Sequence, residues 1–280
     1  MANSNIMDNV STAKVALGSG GAIPKVGLGV WQMPRGVARK AVLEALHSGY
    51  RHVDTARIYN NEKDVGTAVR ESGIPREEIF ITTKLWNDDQ GYDSALRAFD
   101  ASLERLGLDY VDLYLIHWPV PKKRRESWRA LEAIKKSGRA RAIGVSNFLV
   151  SHLEELLPEA HEPPSVNQIE IHPFLQHRDT RAFCKKHGIV VEAYSPLVRG
   201  HRLDDTILRK VAKQVERTPA QVLLRWGLQH DLVVLPKSAD PGRQKENAAI
   251  FDFSLDPKAM AALDALEDGQ ATGWDPRTQD

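Results

Sequence analysis

Four polar side chains lie at or just beyond the ends of predicted strands. Asp54 and Tyr59 belong to HVDTARIY, Lys84 to ITTKLW and His117 to LYLIHWP, while Asn147 belongs to a similar segment, IGVSNF. Because the parallel strands of a barrel bring their carboxyl ends to one rim, we expect these side chains to converge. A tyrosine, a lysine, an aspartate and a histidine at one rim suit proton delivery to a carbonyl oxygen while a cofactor delivers hydride to the carbon.

The residue types predict how the four groups divide the work. A tyrosine with a pKa of about 10 is a weak acid at pH 7, and a neighbouring ammonium group lowers that pKa by favouring the phenolate. Lys84 is placed to do this for Tyr59, and Asp54 is placed to keep a desolvated Lys84 charged. His117 could donate to the substrate oxygen or pass protons onward, and the sequence does not settle its tautomer.

Each of these residues has a simpler explanation when taken alone. An aspartate before a helix often caps it, a strand-end lysine is often solvated, and His117 before Trp118-Pro119 could be a satisfied barrel-mouth histidine. Lys84 could also form a Schiff base in an aldolase on the same barrel. The joint placement of the four residues favours reduction of a carbonyl by hydride and proton transfer, and the aldolase stays open as an alternative.

The hydrophobic pattern predicts the elements that position these residues. From Val26 onward, short apolar runs alternate with amphipathic stretches of helical length. This alternation predicts an α/β fold of eight βα units, a (β/α)8 TIM barrel. The predicted strands are 26–30, 50–54, 79–84, 110–116, 140–145, 166–170, 189–193 and 232–235. Before them, residues 14–17 and 22–25 flank a glycine-rich turn, which predicts an N-terminal β-hairpin over one barrel end.

Helical periodicity and proline positions predict the remaining elements. Residues 36–48, 92–106 and 126–137 carry apolar residues at helical spacing. Residues 206–229 are expected to form two helices divided at Pro219, and 241–250 and 257–266 are expected to be further helices near the C-terminus. We therefore predict a polar N-terminal extension, 1–12, and a single barrel domain, 13–280, whose tail, 267–280, lies on the surface.

Composition excludes several partner classes. The chain has 38 basic and 37 acidic residues, so its net charge of +1 offers no field that would attract nucleic acid or anionic lipid. It has one cysteine, Cys184, and no apolar run of signal-peptide or membrane-spanning length. We expect a cytoplasmic protein with a small-molecule carbonyl substrate, without nucleic-acid or membrane partners. No histidine or cysteine spacing indicates a metal site.

A segment after the eighth predicted strand is suited to a phosphate group. Residues 235–243 open a predicted helix, whose N-terminal amides favour an anion. Lys237, Ser238 and Arg243 add two cations and a hydroxyl, which suit the 2′-phosphate of NADPH better than the free ribose of NADH. Asp240 opposes this preference if it points inward. The sequence thus predicts NADPH/NADP+ as the cofactor, with weaker use of NADH.

The chain resembles the aldo-keto reductases from about Val15 to Leu266. The resemblance rests on the segments around the four polar residues and on VNQIEIHP, AYSPL, PKS and KENAAIFDF, and it is strongest to a prokaryotic branch that includes 2,5-diketo-gluconate reductases. It implies a catalytic tetrad of Asp54, Tyr59, Lys84 and His117, with Tyr59 as general acid. The cofactor-binding residues that it implies are Gly29, Val30, Trp31, Ser146, Asn147, Gln168, Tyr194, Ser195, Leu197, Lys237, Ser238, Arg243, Glu246 and Asn247.

Within that set the resemblance implies separate roles. Ser146, Asn147 and Gln168 would hold the nicotinamide, which would stack on Tyr194. Ser195 and Leu197 would approach the pyrophosphate, and Glu246 and Asn247 would bind the adenine edge.

The resemblance also implies an aromatic substrate cleft. The residues that would line it are Trp31, Ile58, Trp86, His117 and Trp118. Apolar walls make few directional demands, so we expect modest discrimination, with α-dicarbonyls and keto-sugars among the substrates. The loop 120–127 is short and basic, Arg199-Gly200 alters the cofactor-covering loop, and Trp274 in the tail could fold over the mouth. The family implies a monomer, and a noncatalytic NADPH-binding sensor is the alternative function.

Overall fold

The computed structural model describes residues 10–278, so residues 1–9 of the predicted N-terminal extension, 1–12, lie outside the described residues. The strands are β1 Lys14–Ala16, β2 Ala22–Pro24, β3 Leu28–Gly29, β4 His52–Asp54, β5 Phe80–Leu85, β6 Val111–Ile116, β7 Ala140–Ser146, β8 Val166–Glu170, β9 Val190–Tyr194 and β10 Val233–Leu235. The helices are α1 Val37–His47, α2 Glu62–Glu71, α3 Tyr92–Leu106, α4 Arg124–Lys136, α5 Val150–Leu156, α6 Arg178–Lys186, α7 Thr206–Gln214, α8 Pro219–Gln229, α9 Pro241–Ala248 and α10 Pro257–Asp264.

The eight strands β3 to β10 form one parallel sheet in chain order. Its two edges meet where Val26 bridges Val234 and the amide of Gly29 donates to the carbonyl of Pro236 at 3.0 Å. The predicted (β/α)8 barrel with an N-terminal hairpin is therefore confirmed. The hairpin β1–β2 lies at the amino end of the barrel, where Leu17 and Ile23 pack with interior residues such as Leu113.

Strand register explains how distant parts of the chain meet at the carboxyl rim. Asp54 pairs with Gly29 on one side and Thr82 on the other. Gln168 pairs with both Ser146 and Glu192 on its neighbouring strands. Because alternate residues of a strand point to the same face, these register pairs bring polar groups from β4, β8 and β9 together inside the barrel.

The extra helices follow the local capping chemistry. Thr218 caps α8 in a capping box, in which its hydroxyl accepts from the amide of Gln221 at 3.2 Å, and Pro219 occupies the first helical turn. The predicted division of residues 206–229 at Pro219 is confirmed. For α4, the predicted start at residue 126 is too late, because the helix already begins at Arg124.

Gly66 sets the distance between α2 and α3. A Cβ at this position would collide with the carbonyl oxygen of Leu106, which is backbone and cannot rotate away. We expect Gly66→Ala to lower the free energy of unfolding by about 1–3 kcal/mol, although alanine ordinarily stabilises a helix interior. Chemical denaturation measures this. Gly18→Ala, whose nearest neighbour would be the Gly188 oxygen at 3.7 Å, is the control. An unchanged midpoint for Gly66→Ala would contradict the packing argument.

Candidate functional site

Lys84 lies at the centre of a polar cluster at the carboxyl rim. Its Nζ donates to Asp54 Oδ1 at 2.6 Å, to the carbonyl of Thr55 at 2.9 Å and to the hydroxyl of Tyr59 at 3.5 Å. Lys84 is completely buried, and Asp54 is nearly so. A buried ammonium group is stable only when it is paired and hydrogen-bonded, and these partners supply both. The structure thus brings three of the four predicted tetrad residues into direct contact.

The expected lowering of the Tyr59 pKa is wrong in this structure. Burial raises the pKa of Tyr59 well above 10, and the negative charge of Asp54 raises it further. The sequence argument weighed only the nearby ammonium of Lys84, whereas burial in the barrel mouth penalises the phenolate more strongly. Tyr59 is therefore a neutral phenol throughout the physiological range, which is the form that a proton donor must have.

His117, the fourth predicted residue, faces the same cluster. Its ring meets the rings of Tyr59 and Trp86 edge to face, with centroid distances of 5.7 and 5.3 Å. Burial lowers the pKa of His117 well below 6.5, and the charge of Lys84 lowers it further. The imidazole is therefore neutral at pH 7. A neutral ring can donate one hydrogen bond but does not compete with Tyr59 as a charged acid.

A second group of polar side chains lines the wall formed by β7, β8 and β9. Asn147 Nδ2 donates to the carbonyl of His117 at 2.9 Å, and the Tyr194 hydroxyl donates to Asn147 Oδ1 at 2.8 Å. Ser146 Oγ donates to the carbonyl of Gln168 at 2.8 Å. The hydroxyl bond fixes one edge of the Tyr194 ring, so a face of that ring is held in one orientation. These four side chains adjoin the tetrad, and they are the ones that the family resemblance implies as contacts of the nicotinamide.

The predicted phosphate corner has its cations on the surface. Lys237 and Arg243 are exposed, and Ser238 is almost buried, with its hydroxyl bonded to the backbone of Asp240. Asp240 caps α9, because its Oδ1 accepts from the amide of Arg243 at 2.8 Å. Asp240 therefore occupies one amide at the start of α9, and its carboxylate lies at the same helix end as the predicted phosphate corner.

The remaining predicted cofactor residues lie on α9, at the end of β3 and in the loop after β9. Glu246 Oε1 accepts from the Thr218 hydroxyl at 2.6 Å, and Asn247 is buried beside it on α9. Gly29 and Val30 are buried at the end of β3. Ser195 has a left-handed backbone, with φ of 48°, and Leu197 follows in the same loop after β9. The role of these residues in binding a cofactor stays a prediction.

Aromatic side chains surround the mouth. Trp274 of the tail packs against Trp86 and Trp118, with centroid distances of 6.3 and 5.8 Å, while its side chain stays 61% exposed. Ile58 lies in the turn before Tyr59. The tail is held by Thr272, whose amide donates to Glu170 Oε1 at 2.9 Å. The possibility that the tail reaches the mouth is therefore realised, and Trp274 extends the aromatic wall.

Arg199 spans the cleft between two loops. Its guanidinium lies 4.4 Å from the centroid of the Trp31 ring, and a side chain at Gly273 would collide with it. Val198 and Arg199 both have left-handed backbones, with φ of 53° and 51°. Non-glycine residues in that region cost free energy and cluster at functional sites.

The basic run of residues 122–125 is partly paired with acidic side chains. Arg124 and Arg125 of the basic run form ion pairs with Glu155, and Arg125 also pairs with Glu159, so much of the charge of that run is compensated on α5 and just beyond it.

Over residues 10–278, no three His, Cys, Asp or Glu side chains are gathered as metal ligands. In the same residues, no helix has both the length and the apolar character required to cross a membrane.

Sequence reasoning missed a buried acid next to the tetrad. Glu192 on β9 is fully buried, and its Oε2 accepts from Gln168 Nε2 at 3.1 Å, while the same nitrogen donates to Asp54 Oδ2 at 2.9 Å. The available signal was the glutamate within the otherwise apolar run IVVEAY. A charged residue in an interior strand requires a specific partner, and this would have directed attention to β9.

Comparisons with known proteins agree with the geometry. A family model described as the Aldo/keto reductase family matches residues 17–268. Glyoxal reductase of Bacillus subtilis (strain 168) is 51% identical over 263 residues, which cover 94% of this chain and 95% of the relative. Methylglyoxal reductase DkgA of Yersinia pestis is 46% identical over 266 residues, which cover 94% and 95%. A crystal structure of an aspartate-to-alanine mutant of Gox0644 in complex with NADPH has 46% identity and a TM-score of 0.90, with coverage of 95% of this chain and 97% of that chain.

Proposed function

The chain belongs to the aldo/keto reductase family, and from that membership we propose that it reduces small aldehydes and ketones with NADPH, with Tyr59 as proton donor. The family makes the chain an NADP-dependent oxidoreductase that acts on carbonyl groups. Its finer assignment to α-dicarbonyls and keto-sugars is supported by the aromatic mouth and by relatives named glyoxal reductase and methylglyoxal reductase.

The observation that carries the proposal is the contact of Lys84 with both Asp54 and Tyr59. NADPH, when bound, supplies a hydride to the carbonyl carbon. Negative charge then develops on the carbonyl oxygen, which becomes a stronger base than a phenolate and takes the proton of Tyr59. Lys84 stabilises the phenolate that remains, and its position does not change during the step. Neutral His117 donates a hydrogen bond to the same oxygen and orients the substrate.

The residues present fit NADPH on chemical grounds. The Tyr194 ring offers a fixed apolar face for the nicotinamide, and Gln168 and Asn147 offer amide groups beside it. Exposed Lys237 and Arg243 at the start of α9 offer cations for the 2′-phosphate. We propose that these cations make NADPH the better cofactor and NADH the weaker one.

The proposal is tested by following the loss of NADPH absorbance with a panel of aldehydes, α-dicarbonyls and keto-sugars. We expect turnover with several members and the highest kcat/KM among small α-dicarbonyls. NADPH binding without turnover over the whole panel would overturn the proposal in favour of a noncatalytic sensor. Borohydride trapping of a carbonyl substrate on Lys84 would favour the Schiff-base aldolase instead, although the Nζ atom is already directed at three oxygen atoms.

Arg243 provides a separate test of cofactor choice. We expect Arg243→Ala to raise the KM for NADPH about tenfold, because a charge-assisted hydrogen bond to phosphate is lost, and to leave the KM for NADH within about twofold. Steady-state kinetics with both cofactors measure this. Lys210→Ala removes an exposed cation of α7 and serves as control. Equal changes for the two cofactors would show that Arg243 does not contact the 2′-phosphate.

A further inference from the structure

Glu192 lies inside the barrel, below the tetrad. Gln168 contacts both Glu192 and Asp54 and so links them. Gln168 Nε2 has two hydrogens, and it donates one to Asp54 Oδ2 and one to Glu192 Oε2, at 2.9 and 3.1 Å. The amide nitrogen of Gln168 can only donate, and both carboxyl oxygens can accept from it. The two acids therefore fix the orientation in which the NH2 group of Gln168 faces them. The amide oxygen of Gln168 enters neither bond and is left for another donor.

We propose that Glu192 is a positioning residue of the reductase site: with Asp54 it holds the Gln168 amide in one orientation, and in its neutral form it keeps a second negative charge away from Lys84 and Tyr59. The inference rests on the proposed function, because it concerns the same site. It adds a residue to that site which acts through Gln168 and through its charge, without contact to the substrate.

The groups that face Glu192 explain why it is neutral. His52 Nε2 of β4 lies 3.6 Å from Glu192 Oε1, and burial lowers the pKa of His52 to about 3, so this ring carries no charge. Asp54 of the same strand is already paired with Lys84 of β5. Burial and the charge of Asp54 raise the pKa of Glu192 to about 8, against smaller opposing effects of the Gln168 hydrogen bond and Lys84.

The position of the Glu192 proton follows from its contacts. Oε2 accepts from Gln168, so the proton is expected on Oε1, which has no hydrogen-bond partner within residues 10–278. Ionisation would place a full negative charge behind Gln168, next to Asp54. That charge would oppose the negative charge that develops on Tyr59 during reduction. The rate of reduction should therefore fall as Glu192 ionises, and Tyr59 itself, whose pKa is raised well above 10, cannot cause a decline in that range.

Two substitutions separate charge from positioning. Glu192→Gln keeps an oxygen that accepts from Gln168 but cannot ionise, whereas Glu192→Leu removes the acceptor. We expect kcat of the natural protein to fall above a pH of about 8 and kcat of Glu192→Gln to stay level there. We expect Glu192→Leu to weaken NADPH binding about fivefold, as for the loss of one hydrogen bond, while Glu192→Gln binds within about twofold. Cofactor fluorescence titration gives the dissociation constants.

Thermal unfolding without cofactor gives an independent readout. The folded state keeps the Glu192 proton to a higher pH than the unfolded chain does. The contribution of Glu192 to the free energy of unfolding therefore falls as pH rises from about 4.5 to about 8. The Tm of Glu192→Gln relative to the natural protein should therefore rise across that range. Asp112→Asn is the matched control for the pH profile of kcat, because burial also raises the pKa of Asp112, but this acid lies near the amino end of β6, bonded to Arg76; the variant should keep the alkaline decline of kcat.

The outcomes distinguish this inference from the proposed function. If the natural protein turns over carbonyls but Glu192→Gln retains the same alkaline decline and Glu192→Leu binds NADPH normally, the role of Glu192 is wrong and the reductase stands. If no carbonyl is reduced, the proposed function fails, and the unfolding measurement still decides the state of Glu192. Parallel Tm profiles for Glu192→Gln and the natural protein would overturn the neutral carboxyl.

Discussion

Tyr59→Phe is expected to lower kcat for carbonyl reduction by about 10²–10⁴-fold while NADPH still binds with nearly its natural affinity. The substitution removes only the hydroxyl that contacts Lys84 Nζ at 3.5 Å, and Lys84 keeps its shorter bonds to Asp54 and Thr55. The fold should therefore persist. Single-turnover measurement of NADPH oxidation isolates the chemical step from product release.

The same substitution at Tyr114 is the matched control. Tyr114 is fully buried on β6, packs on Phe99 with centroids 4.7 Å apart, and its hydroxyl has no hydrogen-bond partner within residues 10–278. Tyr114→Phe should leave kcat unchanged and should not reduce the Tm, because an unsatisfied buried hydroxyl is removed. Near-normal reduction by Tyr59→Phe would contradict its role as proton donor and would make His117, whose ring packs against Tyr59, the next candidate.

The barrel was predictable because its signals are local and repeated. Apolar runs such as VDLYLI in β6 alternate with amphipathic helices, and the observed strand bounds differ from the predicted ones by at most two residues. Pro219 after Thr218 marks a helix start through a mechanism that the sequence states directly. One local signal was misleading. The start of α4 at Arg124 was missed, because a run of four basic residues is typical of a loop.

The site was predictable in its membership but not in its electrostatics. Strand ends named Asp54, Lys84 and His117, since chain position alone fixes the rim of a parallel barrel. The pKa of Tyr59 depends on how deeply the ring is buried and on its distance from Asp54, and neither is written in the sequence. Likewise, the contact between Glu192 and Gln168 depends on the register of β8 and β9. Sequence reasoning reached the residues, and three-dimensional packing determined their charge states.

Lys84→Met should affect chemistry far more than cofactor affinity. The variant loses the ammonium group that stabilises the Tyr59 phenolate, so kcat should fall by about 10²-fold or more, while the dissociation constant for NADPH changes only a few-fold. It also leaves Asp54 as a buried carboxylate that keeps its hydrogen bond from Gln168 but has lost its cation. Breaking a buried ion pair in this way costs about 3–5 kcal/mol. Chemical denaturation and NADPH titration measure the two effects separately.

A double variant separates the two roles of Lys84. Adding Asp54→Asn to Lys84→Met removes the uncompensated charge, so stability should recover relative to Lys84→Met while activity stays low, because the phenolate still lacks its cation. Lys135→Met is the control for losing a lysine from an ion pair, since Lys135 pairs with Glu162 on the outer surface of the barrel. It should keep full activity. Equal losses of NADPH affinity and of kcat in Lys84→Met, or recovery of activity together with stability in the double variant, would mean that Lys84 supports the fold of the site and does not stabilise charge on Tyr59.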